Sequence, residues 1–244
     1  MDLPVPTTFI VIGYGCFARD RSRRPGYGGY RAMQWTSRQP FVPPALLDRL
    51  DRVRLRRAAL RYAAHGWDVT PGAYLAGHRF HCGRPGCTIT GCHPALDAWA
   101  ESASGDPIRI SAWWRHQAHT VLLPTGSAFD VLEVPATLGS RVPDLGPVAV
   151  TGAGRWMFLV SPGQSLRPEL EQRLDVILHG LGSWIPAPPN RLPDGQVRWT
   201  VTPEQVDWRL PDAERVQDLL AAAAGPVRAR PAIPRQLSTA RRAA

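Results

Sequence analysis

The sequence has no lysine; all 29 of its basic residues are arginine. Guanidinium groups fork onto phosphates in a way that ammonium groups do not. A GC-rich coding sequence gives the same bias without selection for function, and this plainer origin carries more weight. Long apolar runs are missing too. No stretch reaches the eighteen or so apolar residues of a membrane-spanning helix, and the longest early one, Thr8 to Phe17, is broken by Gly13 and Gly15 with no basic residue before it. Neither a spanning helix nor a secretory leader is expected. Cysteine is scarce, at four in 244 residues. Three of the four lie between Cys82 and Cys92, which suits a metal site in a reducing cytoplasm better than a disulfide framework, while Cys16 stands apart as an ordinary thiol. Also absent are an internal repeat and a phosphate loop of the GxxxxGK[ST] kind, so any helicase would have to be a separate partner.

What is present is a globular composition, 44% hydrophobic, sufficient for one sizeable core or two small ones. The formal charge of +9 raises the question of nucleic acid, and its distribution matters more than its size. Residues 1–44 carry six Arg against Asp2 and Asp20, and residues 226–244 carry five Arg and no acid. The 18 Arg between them face 18 Asp and Glu. The expected organisation is therefore a disordered arm over 1–44, a neutral domain over 45–225 and a basic disordered tail over 226–244. DNA or RNA would meet the chain first at its Arg-rich ends.

Within the domain, Leu46, Leu47, Leu50, Val53, Ala58, Leu60, Tyr62 and Ala63 recur at mostly helical intervals, and Gly66 supplies the stop. Trp67 to Thr70 reads as a strand and Pro71-Gly72 as a turn. Helices are expected over 94–102 and from an Asp106 cap with Pro107 to Trp114. Strands are expected over 120–123, 129–134, 148–151 and 156–160, with Gly152 and Gly154 turning between the last two. A short helix over 168–173, strands over 175–178, 183–187 and 197–201, and an Ala-rich helix over 211–224 complete the pattern. This mixed order predicts an α+β fold with a largely antiparallel sheet and flanking helices.

The stretch HRFHCGRPGCTITGCHP, over residues 78–94, sets Cys82, Cys87, Cys92 and His93 within twelve residues. Thiolate and imidazole suit tetrahedral zinc, and four such ligands would close a structural site. The glycines and prolines between them let the backbone turn sharply enough for the side chains to converge. Because neighbouring Cys92 and His93 form an uncommon ligand pair, His81 or His78 stands in reserve. The alternative is a loop of unliganded thiols.

Taken in order, AALRYAAHGWDVTPG, CGRPGCTITGCHP, DPIRISAWW, LPTGSAFDVLEVP, VAVTGAGRWMF and WIPAPPNRLPDG with VRWT resemble the N-terminal domain of bifunctional DNA primase/polymerases, of the archaeo-eukaryotic primase superfamily. The resemblance covers about residues 45–215. It implies an RRM-like catalytic sheet with a small zinc-binding loop insert. It also implies template-directed nucleotidyl transfer assisted by two divalent ions, Mg or Mn, held by clustered carboxylates.

The chain departs from the family pattern on the metal strand, where two acids one residue apart are usual because positions i and i+2 share a face. In AFDVLEVP, Glu133 takes the first place and Pro135 the second. Asp130 lies three residues away and joins Glu133 only through a bulge. Asp175, in LDVIL, fits the later acidic ligand. Trp156 follows the glycine turn where the family commonly has a nucleotide-binding His. Arg155, Arg191 and Arg198 are the remaining candidates for nucleotide or nucleic-acid contact. The sequence thus predicts a degenerate primase/polymerase. The alternatives are an active two-metal enzyme in which Asp130, Glu133 and Asp175 converge, and a non-catalytic protein-interaction module on the same fold.

Overall fold

A computed structural model describes residues 44–225 of the chain. The arm expected over 1–44, apart from its last residue, and the tail expected over 226–244 lie outside the described residues, as does Cys16. The domain opens on α1 (Pro44–Ala63). Leu55, Ala58, Ala59 and Tyr62 follow the three- and four-residue spacing that lines one helix face, and all four are buried. Gly66, at φ +79°, ends the helix in a conformation that suits glycine.

Next come β1 (Thr70–Gly72), β2 (Tyr74–Ala76), β3 (Arg79–His81), a loop with the cysteines, α2 (Trp99–Ser102) and α3 (Pro107–Trp113). The Asp106 carboxylate accepts a hydrogen bond from Ile108 N, capping α3 as the sequence leads one to expect. The chain continues through β4 (Thr120–Pro124), β5 (Asp130–Pro135), α4 (Ala136–Gly139), β6 (Val148–Val150), β7 (Arg155–Val160), α5 (Pro168–Glu171), β8 (Ile177–His179) and β9 (Trp184–Pro186). Last are β10 (Arg191–Leu192), β11 (Gly195–Gln196), β12 (Arg198–Val201), a 3₁₀ turn over Pro203–Val206 and α6 (Ala213–Ala224).

Strand pairing among the described residues is antiparallel throughout. One sheet has the order β12-β6-β7-β5-β8, a second the order β1-β4-β9, and β2-β3 and β10-β11 form separate hairpins. The architecture is mixed α/β with antiparallel sheets and few helices, in keeping with the α+β expectation. Three of the departures from the expected boundaries bear on the sites. Pro71 and Gly72 are not a turn: they sit in β1, an edge strand where proline's missing N–H is tolerated, and a Cβ on Gly72 would come within 2.8 Å of the Leu122 side chain. The helix expected from Pro94 begins only at Trp99, because residues 93–95 run extended beside β1, with Ala73 N donating to His93 O and Ala95 N to Pro71 O. β8 starts two residues later than expected, after a turn in which Val176 N donates to Arg173 O.

The five-stranded sheet separates two cores by its pleat. Val131, Ala149, Met157 and Leu159 face a core completed by α1, α3, Val121, Leu123 and Ile185. Leu132, Val134, Val148, Phe158 and Val160 face the other, with Leu138, Leu170, Val216 and Leu220 from α4, α5 and α6. The chain passes between the sheets three times, from β4 to β5, from β8 to β9 and from β9 by way of the β10-β11 hairpin to β12, and the first two crossings are joined. Thr125 donates to Ser183 O through its backbone N (3.0 Å) and to Gly180 O through its hydroxyl (2.6 Å).

Pro188 and Pro189 cannot donate backbone hydrogen bonds beyond β9, and the Asn190 side chain compensates. Its Oδ1 accepts from Val121 N at 2.9 Å and its Nδ2 donates to Val121 O at 2.6 Å. Asn190 is buried. Asn190→Ala strands the Val121 N–H and is expected to lower unfolding stability by roughly 1–3 kcal/mol. In urea denaturation this appears as a lower midpoint with an unchanged slope; a midpoint equal to that of the parent would contradict it.

Candidate functional site

The alternation that builds the two cores also assigns the carboxylates. Asp130 and Glu133 are the only acidic residues in the five strands of the large sheet, and their odd separation puts them on opposite faces. Asp130 points to the helix-covered side. It is buried at 3% exposure, its Oδ2 accepts from Gly163 N at 2.8 Å, and its Oδ1 has no partner. No bulge interrupts the β5–β7 ladder, whose register runs from Asp130↔Val160 to Pro135↔Arg155.

Glu133 lies on the opposite face, and Arg155 and His179 hold its two oxygens. Arg155 Nε donates to Oε1 at 2.6 Å, and a second Arg155 nitrogen reaches the Glu133 carbonyl at 3.3 Å. His179 Nε2 lies 2.9 Å from Oε2, and its Nδ1 lies 2.9 Å from Ser183 Oγ. With Nε2–H donating to the carboxylate, Nδ1 of a neutral ring accepts from the Ser183 hydroxyl. Burial pushes the Glu133 carboxyl up, but the hydrogen bonds and charges of His179 and Arg155 outweigh it and hold the group below the usual glutamate value.

The remaining candidates are dispersed. Asp175 precedes β8 and forms a two-pronged pair with Arg173, at 3.1 and 3.0 Å. Directly opposite Glu133 on β8 stands Ile177, an apolar side chain that adds no oxygen beside it. Trp156 is on the helix side, stacked on Phe158 with centroids 6.2 Å apart and seated over Gly139, where a Cβ would come within 2.6 Å of it. Arg191 is on the small β10 strand and Arg198 on the edge strand β12, both exposed. Of the four proposed nucleotide contacts, Arg155 alone meets Glu133. His179 and Ser183 escaped the sequence reading because β8 was placed two residues early, which left His179 beyond its end.

Cys82, Cys87 and His93 do come together. Their ligand atoms lie within 4.8 Å of one another, the only group of three or more His, Cys, Asp or Glu to do so among the described residues. The Asp130, Glu133 and Asp175 carboxylates therefore form no such group. Cys92, His78 and His81 are outside the set. His93 Nδ1 is 2.7 Å from Gly91 O and its Nε2 is 3.4 Å from Cys87 Sγ. A proton on Nδ1 directed at the carbonyl leaves Nε2 as the ligand nitrogen. Burial opposes ionisation of Cys82, but hydrogen bonds from the His93 side chain, the Arg84 backbone and side chain and Cys87 bring its thiol down to about 6. Burial pushes the Cys92 thiol up to about 12. Two thiols and an oriented imidazole are a donor set that suits zinc.

An antiparallel α/β domain with a Cys/His lobe beside it is thus the setting for both sites. A model of the family described as bifunctional DNA primase/polymerase, N-terminal, matches residues 59–214. The chain belongs to that family. It matched no curated protein and no solved structure. Among the described residues no helix is long and apolar enough to cross a membrane.

The Glu133 pairing has a sign that can be measured. A carboxylate with a depressed folded pKa contributes stability above its unfolded value, about 4.3, and loses it as pH falls through the lower folded value. Urea midpoints followed from about pH 7 to about pH 3 should fall less steeply below pH ~4 in Glu133→Gln than in the parent. Parallel curves would show that the pairing adds nothing.

Proposed function

We propose that this chain is a primase/polymerase-like domain in which nucleotidyl transfer is lost and a binding role remains. The observation that carries the reading is the state of Glu133: it is the one carboxylate on its sheet face, Ile177 and Pro135 stand where further acids are needed, and Arg155 and His179 hold its oxygens. Two shared divalent ions need several converging carboxylate oxygens. Magnesium or manganese does not fit this set of residues, and no transfer step is derived through either ion. An RRM-like sheet belongs to the same proposal, supported by a five-stranded antiparallel sheet with α4, α5 and α6 on one face. So does structural zinc held by Cys82, Cys87 and His93, which would staple the cysteine loop to the domain. Thiols free at these positions and at Cys92 support a reducing, cytoplasmic setting.

The direct test is primer extension and unprimed synthesis by the full chain with magnesium and with manganese. No incorporation above that of Glu133→Ala is expected. Incorporation that Glu133→Ala abolishes would return the chain to the active members of its family.

Nucleic-acid contact is assigned to the Arg-rich segments, because the intervening region has equal numbers of Arg and acid. Replacing Arg228, Arg230, Arg235, Arg241 and Arg242 by Ser should weaken single-stranded DNA retention and flatten its salt dependence, by about 0.7 in log–log slope for each phosphate no longer neutralised. An unchanged slope would move the interaction elsewhere.

A further inference from the structure

The Cys/His lobe is closed on one side and open on the other. Ala73 and Ala95 are buried against Cys82 on the closed side. On the open side Cys82 and Cys87 line a cavity of about 730 Å³ that is also walled by Arg49, Arg52, Arg84 and Phe80. His93 is not in that wall. It is 5% exposed and held from behind by Gly91 O. The fourth sulfur that would complete a closed tetrahedron, Cys92, is not among the gathered ligands. Zinc with three protein ligands keeps a fourth position for water or another small ligand, whereas a closed set of four does not exchange.

We propose that an ion bound by Cys82, Cys87 and His93 keeps its fourth position open to this cavity, and that the position takes a small anion. Two thiolates and a neutral imidazole cancel the charge of a divalent ion, so selection between anions and neutral ligands falls to the cavity wall. Three guanidiniums there face one carboxylate, Asp48. Arg84 is committed to Asp97 and to the ligand sulfur of Cys87, to which it donates at 3.9 Å, and one Arg52 nitrogen donates to the His116 carbonyl at 2.9 Å. Arg49 makes no ion pair among the described residues. Arg49 and the remaining N–H groups of Arg52 are accordingly the donors available to an anion seated on the metal. This inference rests on the reading of the lobe as a metal site and is independent of whether the sheet is catalytically silent.

The test is spectroscopic and uses the full chain loaded with cobalt(II) in place of zinc. One ion per chain is expected, with sulfur-to-cobalt charge-transfer intensity of two thiolates and not three. Azide, as the probe anion, should shift the visible d–d bands of the unmutated protein in a saturable way. Cys92→Ser should retain both the ion and the azide response, while Cys87→Ser should weaken binding by more than the roughly 10- to 100-fold typical of losing a group that only orients a ligand. Arg49→Ala with Arg52→Ala should raise the azide concentration at half-saturation by about tenfold while leaving metal content unchanged, the effect of about 1.4 kcal/mol. Three-thiolate intensity, or bands in the unmutated protein that azide does not move, would mean a closed site and overturn the proposal. Failure to bind cobalt at all would instead reject the lobe as a metal site, and primer-extension results bear on neither outcome.

Discussion

The pleat of β5 is the constraint on which the rest depends. Side chains alternate between two buried environments along this strand, and six consecutive ladder pairs with β7 leave no irregularity to re-aim them. Asp130 is thereby committed to the helix side and Glu133 to the side shared with α1 and the smaller sheet. In a strand with this register, carboxylates three residues apart cannot serve one ion. A second acid would have to come from a neighbouring strand, and Ile177 on β8 and Met157 on β7 occupy the paired positions.

A partly buried carboxylate needs partners for its oxygens, and the sheet itself supplies them to Glu133. Arg155 comes from the β7 position paired with Pro135, and His179 from two residues beyond Ile177 on β8. Pro135 and Ile177 offer no side-chain oxygen beside Glu133, and Arg155 and His179 satisfy the two oxygens that it has. The cysteine lobe follows a different logic. Its sulfur and nitrogen atoms converge, and its wall is rich in arginine.

Much of this was legible in the sequence where one local rule dominates. α1, the Asp106 cap, and the strands around Leu122, Leu132 and Phe158 follow from periodicity and capping, and the opposed directions of Asp130 and Glu133 follow from counting. Legibility failed where tertiary contacts override local preference. Pro71-Gly72 looks like a turn but is held straight by Thr120 and Val121 of β4. Pro94 looks like a helix start but its neighbours are bound by β1. At β8 a two-residue error of register hid His179 and credited Asp175 with a place on the strand, because LDVILH carries no alternation strong enough to fix where pairing begins. The sequence marks Cys92 and His93 as an uncommon ligand pair but points to His93 as the one to be replaced, whereas Cys92 is the one outside the set, since spacing says which ligands can converge and not which do.

The corner where Thr125 meets Gly180 and Ser183 gives the domain a mechanical property. Two of the three chain crossings between the sheets pass through it, and the Glu133–His179–Ser183 contacts end on one of its residues, Ser183. At this corner the sheets share one stitch, so loosening it at Ser183 releases the ionic cluster and these two crossings together. A disturbance at the Glu133 face would spread into both layers as one cooperative opening and not as a local fray.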